Sequence, residues 1–195
     1  MGAYLGLVTP GVPILGAFMF NAIYKFPAYK FVCTNVYTNK AWTDAYRGAG
    51  RPEATCAIER IMDELATELG REPLELREQN WIKHEEFPFT TVAGMTYDSG
   101  NYEAATARAK ELFGYDELRR EQQERRERTD SVQLGIGIST FTEMCGLAPS
   151  RILGQLNYAA GGWEHADIRM LATGKVEVVT GVSPHGQGHE TAWSQ

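Results

Sequence analysis

The stretch Ala45–Ala54, AYRGAGRPEA, most constrains what this chain can fold into. Gly48, Ala49 and Gly50 place small residues in succession, so the backbone can turn tightly and another group can approach it closely. Arg51-Pro52-Glu53 follows at once: proline suits the first helical turn, and the acid complements the helix dipole. Beyond it Ile58, Ile61, Met62, Leu65, Ala66 and Leu69 recur at three- and four-residue steps. That periodicity predicts a helix with one core-facing stripe, closed by Gly70. A glycine turn that opens into a helix N-terminus can also meet an anion with its backbone N–H groups. Arg47 adds a fixed positive charge there, and Tyr46 is expected to pack under the turn.

A second motif, HGQGHET, occupies residues 185–191. Gln187 stands between Gly186 and Gly188, so its amide and a bare backbone can face the same ligand. Plain turn glycines explain either motif taken alone. His185, His189 and Glu190 invite a zinc reading, since HxxxH on a helix aligns two imidazoles. The intervening glycines oppose a helix there, and no third ligand has suitable spacing.

The remaining pattern predicts an α+β fold. Residues 30–38 (KFVCTNVYT) read as a strand, 73–79 as a short helix, and 81–101 as irregular. A helical pair over 102–113 and 116–128 precedes a β-textured region with expected strands at 133–143, 152–159, 166–171 and 175–180. Ala172-Thr173-Gly174 reads as the turn of a hairpin. These textures divide the chain near Asp130 into regions 1–130 and 131–195.

Composition narrows the function. The net charge is −6 over 195 residues, which leaves no basic surplus for nucleic acid. The arginines of 119–128 alternate with Glu121, Glu124 and Glu127 and read as a solvated helix face. Cys33, Cys56 and Cys145 lie far apart, which suggests neither a disulfide framework nor a metal cluster. Cys145 is expected to be buried, and Glu59 and Asp63, four apart, are expected to be solvated. A reducing, cytoplasmic setting fits, with membrane association only through partners. The apolar run 5–23 is broken by Pro10, Pro13 and three glycines, so it predicts a buried loop and short core helix rather than a membrane span. It opens apolar, and residues 190–195 read as a helix without a cap; both ends are expected to be internal to a longer chain.

The order of features then resembles one family. A strand, AYRGAGRPEA, the helix EATCAIERIMDELATELG, REPLELREQNWI, a hairpin at TGK and TGVSPHGQGHET are similar in succession to the middle of the molybdopterin-binding large subunit of xanthine dehydrogenases, aldehyde oxidases and aerobic carbon monoxide dehydrogenases. The resemblance implies portions of two molybdopterin-binding subdomains, in mixed sheets with packed helices. It also implies molybdenum held through a pterin, commonly as the cytosine dinucleotide in bacteria, and not directly by protein side chains. Hydroxylation of a small aldehyde or N-heterocycle would take its oxygen from water. Electrons would leave through [2Fe-2S] clusters and FAD on a small iron–sulfur subunit and a medium FAD-binding subunit, in a dimer of heterotrimers.

The same resemblance assigns site residues. Arg47 and Gly48 match positions at the reacting centre, while the family's catalytic glutamate lies in a downstream segment outside this chain. Tyr46, Ala49 and Gly50 complete the first cofactor loop; Gly186, Gln187, Gly188 and His189 form the second. Carbon monoxide dehydrogenases carry a copper-binding cysteine where this chain has Gly48, which argues against copper. Purine hydroxylases carry a stacking phenylalanine where it has Ala49. The chain is thus expected to be an internal fragment, inactive and aggregation-prone when isolated. A truncated, non-catalytic interaction module and a zinc-dependent hydrolase are the alternatives.

Overall fold

The computed structural model describes residues 1–6, 8–145 and 164–195, and the chain forms two compact units, Met1–Glu143 and Met144–Gln195. The expected strand at 152–159 lies outside the described residues. Helices and small antiparallel sheets make up both units, as the α+β reading anticipates.

The first unit is helical. Helix α1 (Gly11–Met19) carries Pro13 within its first turn, where the ring costs no hydrogen bond. Helix α2 (Arg51–Glu68) begins at Gly50, whose N–H donates to Glu53 Oε2 at 2.9 Å, and Gly70 follows its end at φ 60°. Helix α3 (Pro73–Asn80) is capped by Glu72, which accepts from the Leu74 and Glu75 N–H groups. A two-residue hairpin, β1 (Phe89–Thr90) with β2 (Thr96–Tyr97), interrupts the irregular stretch. Helices α4 (Tyr102–Phe113) and α5 (Tyr115–Arg128) meet at Gly114, whose left-handed conformation, φ 67°, ends one and starts the other. On α5, Arg125 pairs with Glu121 and Arg128 with Glu124, as expected of a solvated charged face.

Ile23, Tyr24, Trp81 and Ile82 form the centre of the core with Ile58, Met62 and Ala66 from α2, and all seven are buried. Antiparallel pairing of Tyr24 with Trp81 brings the end of the α1 segment onto the end of α3. The stripe on α2 is narrower than its periodicity suggests. Ala54, Ile58, Glu59, Met62 and Ala66 are buried, whereas Ile61 and Leu69 are more than half exposed and Leu65 is also exposed.

Two expected strands take another form. Residues 30–38 form no strand among the described residues, and Phe31, Val32, Val36 and Tyr37 are exposed. Their neighbours are the first residues of the chain: Thr38 N–H donates to Gly2 O and Ala3 N–H to Lys40 O, each at 2.9 Å. Residues 133–143 likewise form no strand among the described residues, though odd positions are exposed and even ones half-buried. Helix side chains hold them in place of a ladder: Gln122 Nε2 donates to Leu134 O at 2.8 Å and Arg77 Nη2 to Ile138 O at 3.3 Å. Alternation in sequence does not by itself supply a pairing strand.

The second unit contains the expected hairpin. Strands β3 (Ala166–Met170) and β4 (Val176–Thr180) pair antiparallel, Ala166 opposite Thr180 and Met170 opposite Val176. Leu171 and Lys175 close the turn, and Gly174 sits at φ 81°, a conformation glycine adopts without strain. Helix α6 (His189–Ser194) follows. No helix among the described residues is long and apolar enough to cross a membrane.

Candidate cofactor-binding loops

The first loop is anchored on the chain's opening segment. Thr9 Oγ1 donates to Thr43 O at 2.6 Å, and Asp44 Oδ1 accepts from Val8 N–H at 3.2 Å and Ala45 N–H at 2.8 Å. These contacts aim residues 46–50 into a tight turn, in which Ala49 N–H donates to Tyr46 O at 2.7 Å and Arg51 N–H to Gly48 O at 2.9 Å. Tyr46 is 69% exposed, so it does not pack beneath the turn. The α1 backbone occupies the space beneath it instead. Arg47 is also exposed, and Gly48 and Ala49 are half-buried.

The two glycines of this loop have different causes. Both have positive φ, 77° at Gly48 and 89° at Gly50. At Gly50 an added Cβ would stand 2.3 Å from Val12 O and 2.5 Å from Gly16 N, so the start of α2 requires glycine to seat against α1. Gly50 is buried, and its N–H is already capped by Glu53. The helix N-terminus is thereby closed at Gly50, and the open part of the loop is Arg47–Ala49. At Gly48 an added Cβ would meet, among the described residues, only Glu143 Oε1, at 3.7 Å.

Glu143 was not singled out by the sequence, since it lies far from the loop along the chain. Its Oε2 stands 3.5 Å from Arg51 Nε. It ends the 133–143 segment, which is fastened a few residues earlier to a buried ionic cluster. There Glu59 Oε2 accepts from Arg77 Nε at 2.9 Å and Thr140 N–H at 3.0 Å, and Glu59 Oε1 from Tyr24 Oη at 2.6 Å. Glu59 is therefore buried and paired, not solvated: the α2 face that carries it packs on α3 and on residues 138–140. Only Asp63 of the two acids is exposed, and it reaches Arg77 Nη2 at 2.8 Å. Burial, and then the hydrogen bond to Glu59, push the Tyr24 phenol far above its ordinary range. The Glu59 partnership likewise holds the Arg77 guanidinium protonated against its burial.

A cleft of about 300 Å³, lined by Thr9, Val12, Phe31, Thr43 and Glu53, borders Gly50. A larger one of about 660 Å³, among Glu78, Lys83, Glu103 and Tyr115, touches neither glycine motif. Lys83 pairs with Glu103 there at 3.0 Å and Lys110 with Asp116 at 3.7 Å, so its lysines are already engaged.

In the second unit Gly186 and Gly188 adopt positive φ, 87° and 70°, on either side of an exposed Gln187. Gln187 Oε1 accepts from His185 N–H, which leaves the amide nitrogen directed by its own loop. An added Cβ at Gly188 would meet nothing within 4 Å. His189 begins α6 and stacks on Trp193, with ring centroids 4.4 Å apart. His185 lies before the helix, so the HxxxH pair does not share a helix face. No group of three metal-ligating side chains occurs among the described residues. Cys33, Cys56 and Cys145 are free and exposed, so Cys145, expected to be buried, is instead a surface thiol.

Two family models described as molybdopterin cofactor-binding domain match, one over residues 1–81 and the other over 108–195. The chain is 40% identical to the carbon monoxide dehydrogenase large chain of Afipia carboxidovorans over 88% of its own length and 22% of that protein's. It is 33% identical to the nicotine 6-hydroxylase large subunit of Paenarthrobacter nicotinovorans over 90% of its length and 21% of the relative's. Among solved structures, quinoline 2-oxidoreductase from Pseudomonas putida 86 superposes with a TM-score of 0.76 at 33% identity, over 97% of this chain and 24% of that one. The chain thus spans about a fifth of the length of the curated relatives it matches. With both glycine motifs inside the matched regions, the chain belongs to the molybdopterin-binding large subunits of the xanthine oxidase family.

Proposed function

We propose that this chain serves in the large subunit of a molybdopterin-dependent hydroxylase, an oxidoreductase that acts on a small aldehyde or N-heterocycle with water as oxygen source. One observation carries the reading: each cofactor-binding match contains one glycine-flanked motif, RGAG in the first and HGQGHE in the second. The local geometry suits such a ligand. Among the described residues, open space stands over Gly188, and over Gly48 only the far end of Glu143 comes within 4 Å of an added Cβ.

A bound pterin-held molybdenum would supply the oxidation chemistry, and the protein would orient and tune it. Arg47 sets a permanent cation on the exposed turn, suited to an anionic pyranopterin. Gly48 and Ala49 leave the backbone bare beside it, Tyr46 flanks it, and Gly50 fixes the turn on α1. Gln187 offers its amide nitrogen between Gly186 and Gly188, and His189, held by Trp193, offers a ring nitrogen to a phosphate. Gly48 supplies no thiolate, which disfavours copper and hence carbon monoxide as substrate. The similarity to nicotine 6-hydroxylase and quinoline 2-oxidoreductase favours an N-heterocycle.

The reading extends to a cytosine dinucleotide form of the cofactor and to partner subunits carrying FAD and [2Fe-2S] clusters. A dimer of heterotrimers in the cytoplasm follows from the same resemblance, as does a junction between the two cofactor-binding regions near Asp130.

The test is to purify the subunit that carries this chain with its partners and to measure molybdenum, copper and the nucleotide released on denaturation. Molybdenum near one per subunit, CMP and no copper are expected, with occupancy reduced in Gln187→Ala. Preparations without molybdenum or pterin would overturn the reading.

A further inference from the structure

We infer that Glu143 is a specificity-determining residue, whose carboxylate occupies the side-chain position over Gly48 and accepts a hydrogen bond from a substrate N–H. The inference rests on the reading of the Arg47–Ala49 turn as facing the reacting centre.

Three observations support it. Among the described residues, Glu143 Oε1 is the sole heavy atom within 4 Å of where a Cβ on Gly48 would stand, at 3.7 Å. The absent side chain at 48 is thus replaced, in space, by a carboxylate from another segment. Next, the two oxygens have separate surroundings: Oε2 faces Arg51 Nε at 3.5 Å, which orients the group and leaves Oε1 directed over Gly48. Finally, the segment that delivers Glu143 is built to hold position. Thr140 donates through both N–H and Oγ1 to the buried Glu59, each at 3.0 Å, and Ile138 O accepts from Arg77.

The Glu143 side chain is 41% exposed, so it can meet a ligand without opening the core. Charge balance points to an N–H donor and not to cations in general. Arg51 stands against the carboxylate, Arg47 lies on the same turn, and Glu53 is engaged at Gly50 N–H, so the neighbourhood holds no excess negative charge. What remains is a directed acceptor. A ring N–H one atom removed from the reacting carbon matches it; the N-methyl analogue offers no donor and places a methyl group against an oxygen.

The experiment uses the cofactor-loaded holoenzyme and two aldehydes, pyrrole-2-carbaldehyde and its N-methyl derivative. Wild type is expected to favour the N–H compound in kcat/KM by about tenfold, as for a hydrogen bond to a charged acceptor. Glu143→Ala should erase that preference while the N-methyl compound changes little; Glu143→Gln, which keeps an acceptor, should retain part of it. Calorimetric binding of pyrrole-2-carboxamide and its N-methyl form should show the same pattern without turnover. An equal loss on both compounds, or an unchanged preference in Glu143→Ala, would overturn the inference while leaving a molybdenum-loaded enzyme intact. An enzyme without molybdenum would remove the underlying reading and the inference together.

Discussion

Arg77 Nε donates to Glu59 Oε2 at 2.9 Å, with Arg77 wholly buried and Glu59 95% so. The pair joins α3 to α2, and every other partner tightens the same point: Glu59 O and Pro73 O accept from the guanidinium, and Thr140 and Tyr24 donate to the carboxylate. Burying two charges is costly in itself, and what makes the arrangement tolerable is that both groups are saturated with hydrogen bonds. Its positional effect is to fix residues 138–140 against α2, and so to set where Glu143 stands.

Removing one partner strands the other. Arg77→Met should leave a buried carboxylate and destabilise the chain by about 3–5 kcal/mol. Chemical denaturation of the purified protein checks this. The double variant Glu59→Gln/Arg77→Met should recover part of the loss, because no uncompensated charge then remains inside. If the single and double variants unfold at the same denaturant concentration, the pair is not coupled as described.

High pH should weaken the fold in a defined window. Tyr24 and Tyr97 have phenols raised well above the ordinary value of 10, chiefly by burial. Tyr115 is pushed up to about 12 by burial and by its hydrogen bond to Glu72. A raised acid is neutral in the folded state where the unfolded chain would ionise. The stabilisation is therefore complete below pH 10 and is lost progressively as pH rises toward the folded values. Tyr24→Phe should lower stability at neutral pH by about 2 kcal/mol through the lost hydrogen bond to a carboxylate. It should also flatten the alkaline decline measured by thermal unfolding between pH 9 and about 12.

How much of this was legible in sequence differs from element to element. Helix α2 was readable because proline, an acid and three- and four-residue spacing are local signals that tertiary contacts reinforce. Glu59 was misread for the converse reason: its burial depends on Arg77, on another helix, and a carboxylate next to Ile58 looks like any solvated charge until that helix is placed. Residues 30–38 and 133–143 alternate in sequence as strands do, but alternation cannot say whether a neighbouring strand exists to accept their hydrogen bonds. The glycine turn was visible, yet the different duties of Gly48 and Gly50 were not. One is defined by the α1 backbone beneath it and the other by Glu143 above, and neither neighbour is near in sequence.

That difference between glycines can be measured. Gly50→Ala places a Cβ 2.3 Å from Val12 O at φ 89°, so strain and overlap should together cost about 3 kcal/mol or more. Gly48→Ala meets no overlap and should cost only about 1–2 kcal/mol for the left-handed conformation. Equal losses in the two variants would mean that α1 yields to the new methyl group.

The exposed side of α2 provides the last expectation. Ile61 and Leu69 are 60% and 56% exposed, and Leu65 is 43% exposed; at spacings of four they line one face away from the Glu59 core. A continuous apolar face on a charged helix contributes little to the fold it borders, but it offers surface for association. Ile61→Lys with Leu65→Gln should therefore leave the melting temperature within about 2 °C, as surface changes outside the core do. The same pair should raise the concentration at which the isolated chain stays monodisperse in light scattering. A large fall in melting temperature would instead show that these residues pack against other parts of the chain, and the narrow buried stripe on α2 would need to be widened to include them.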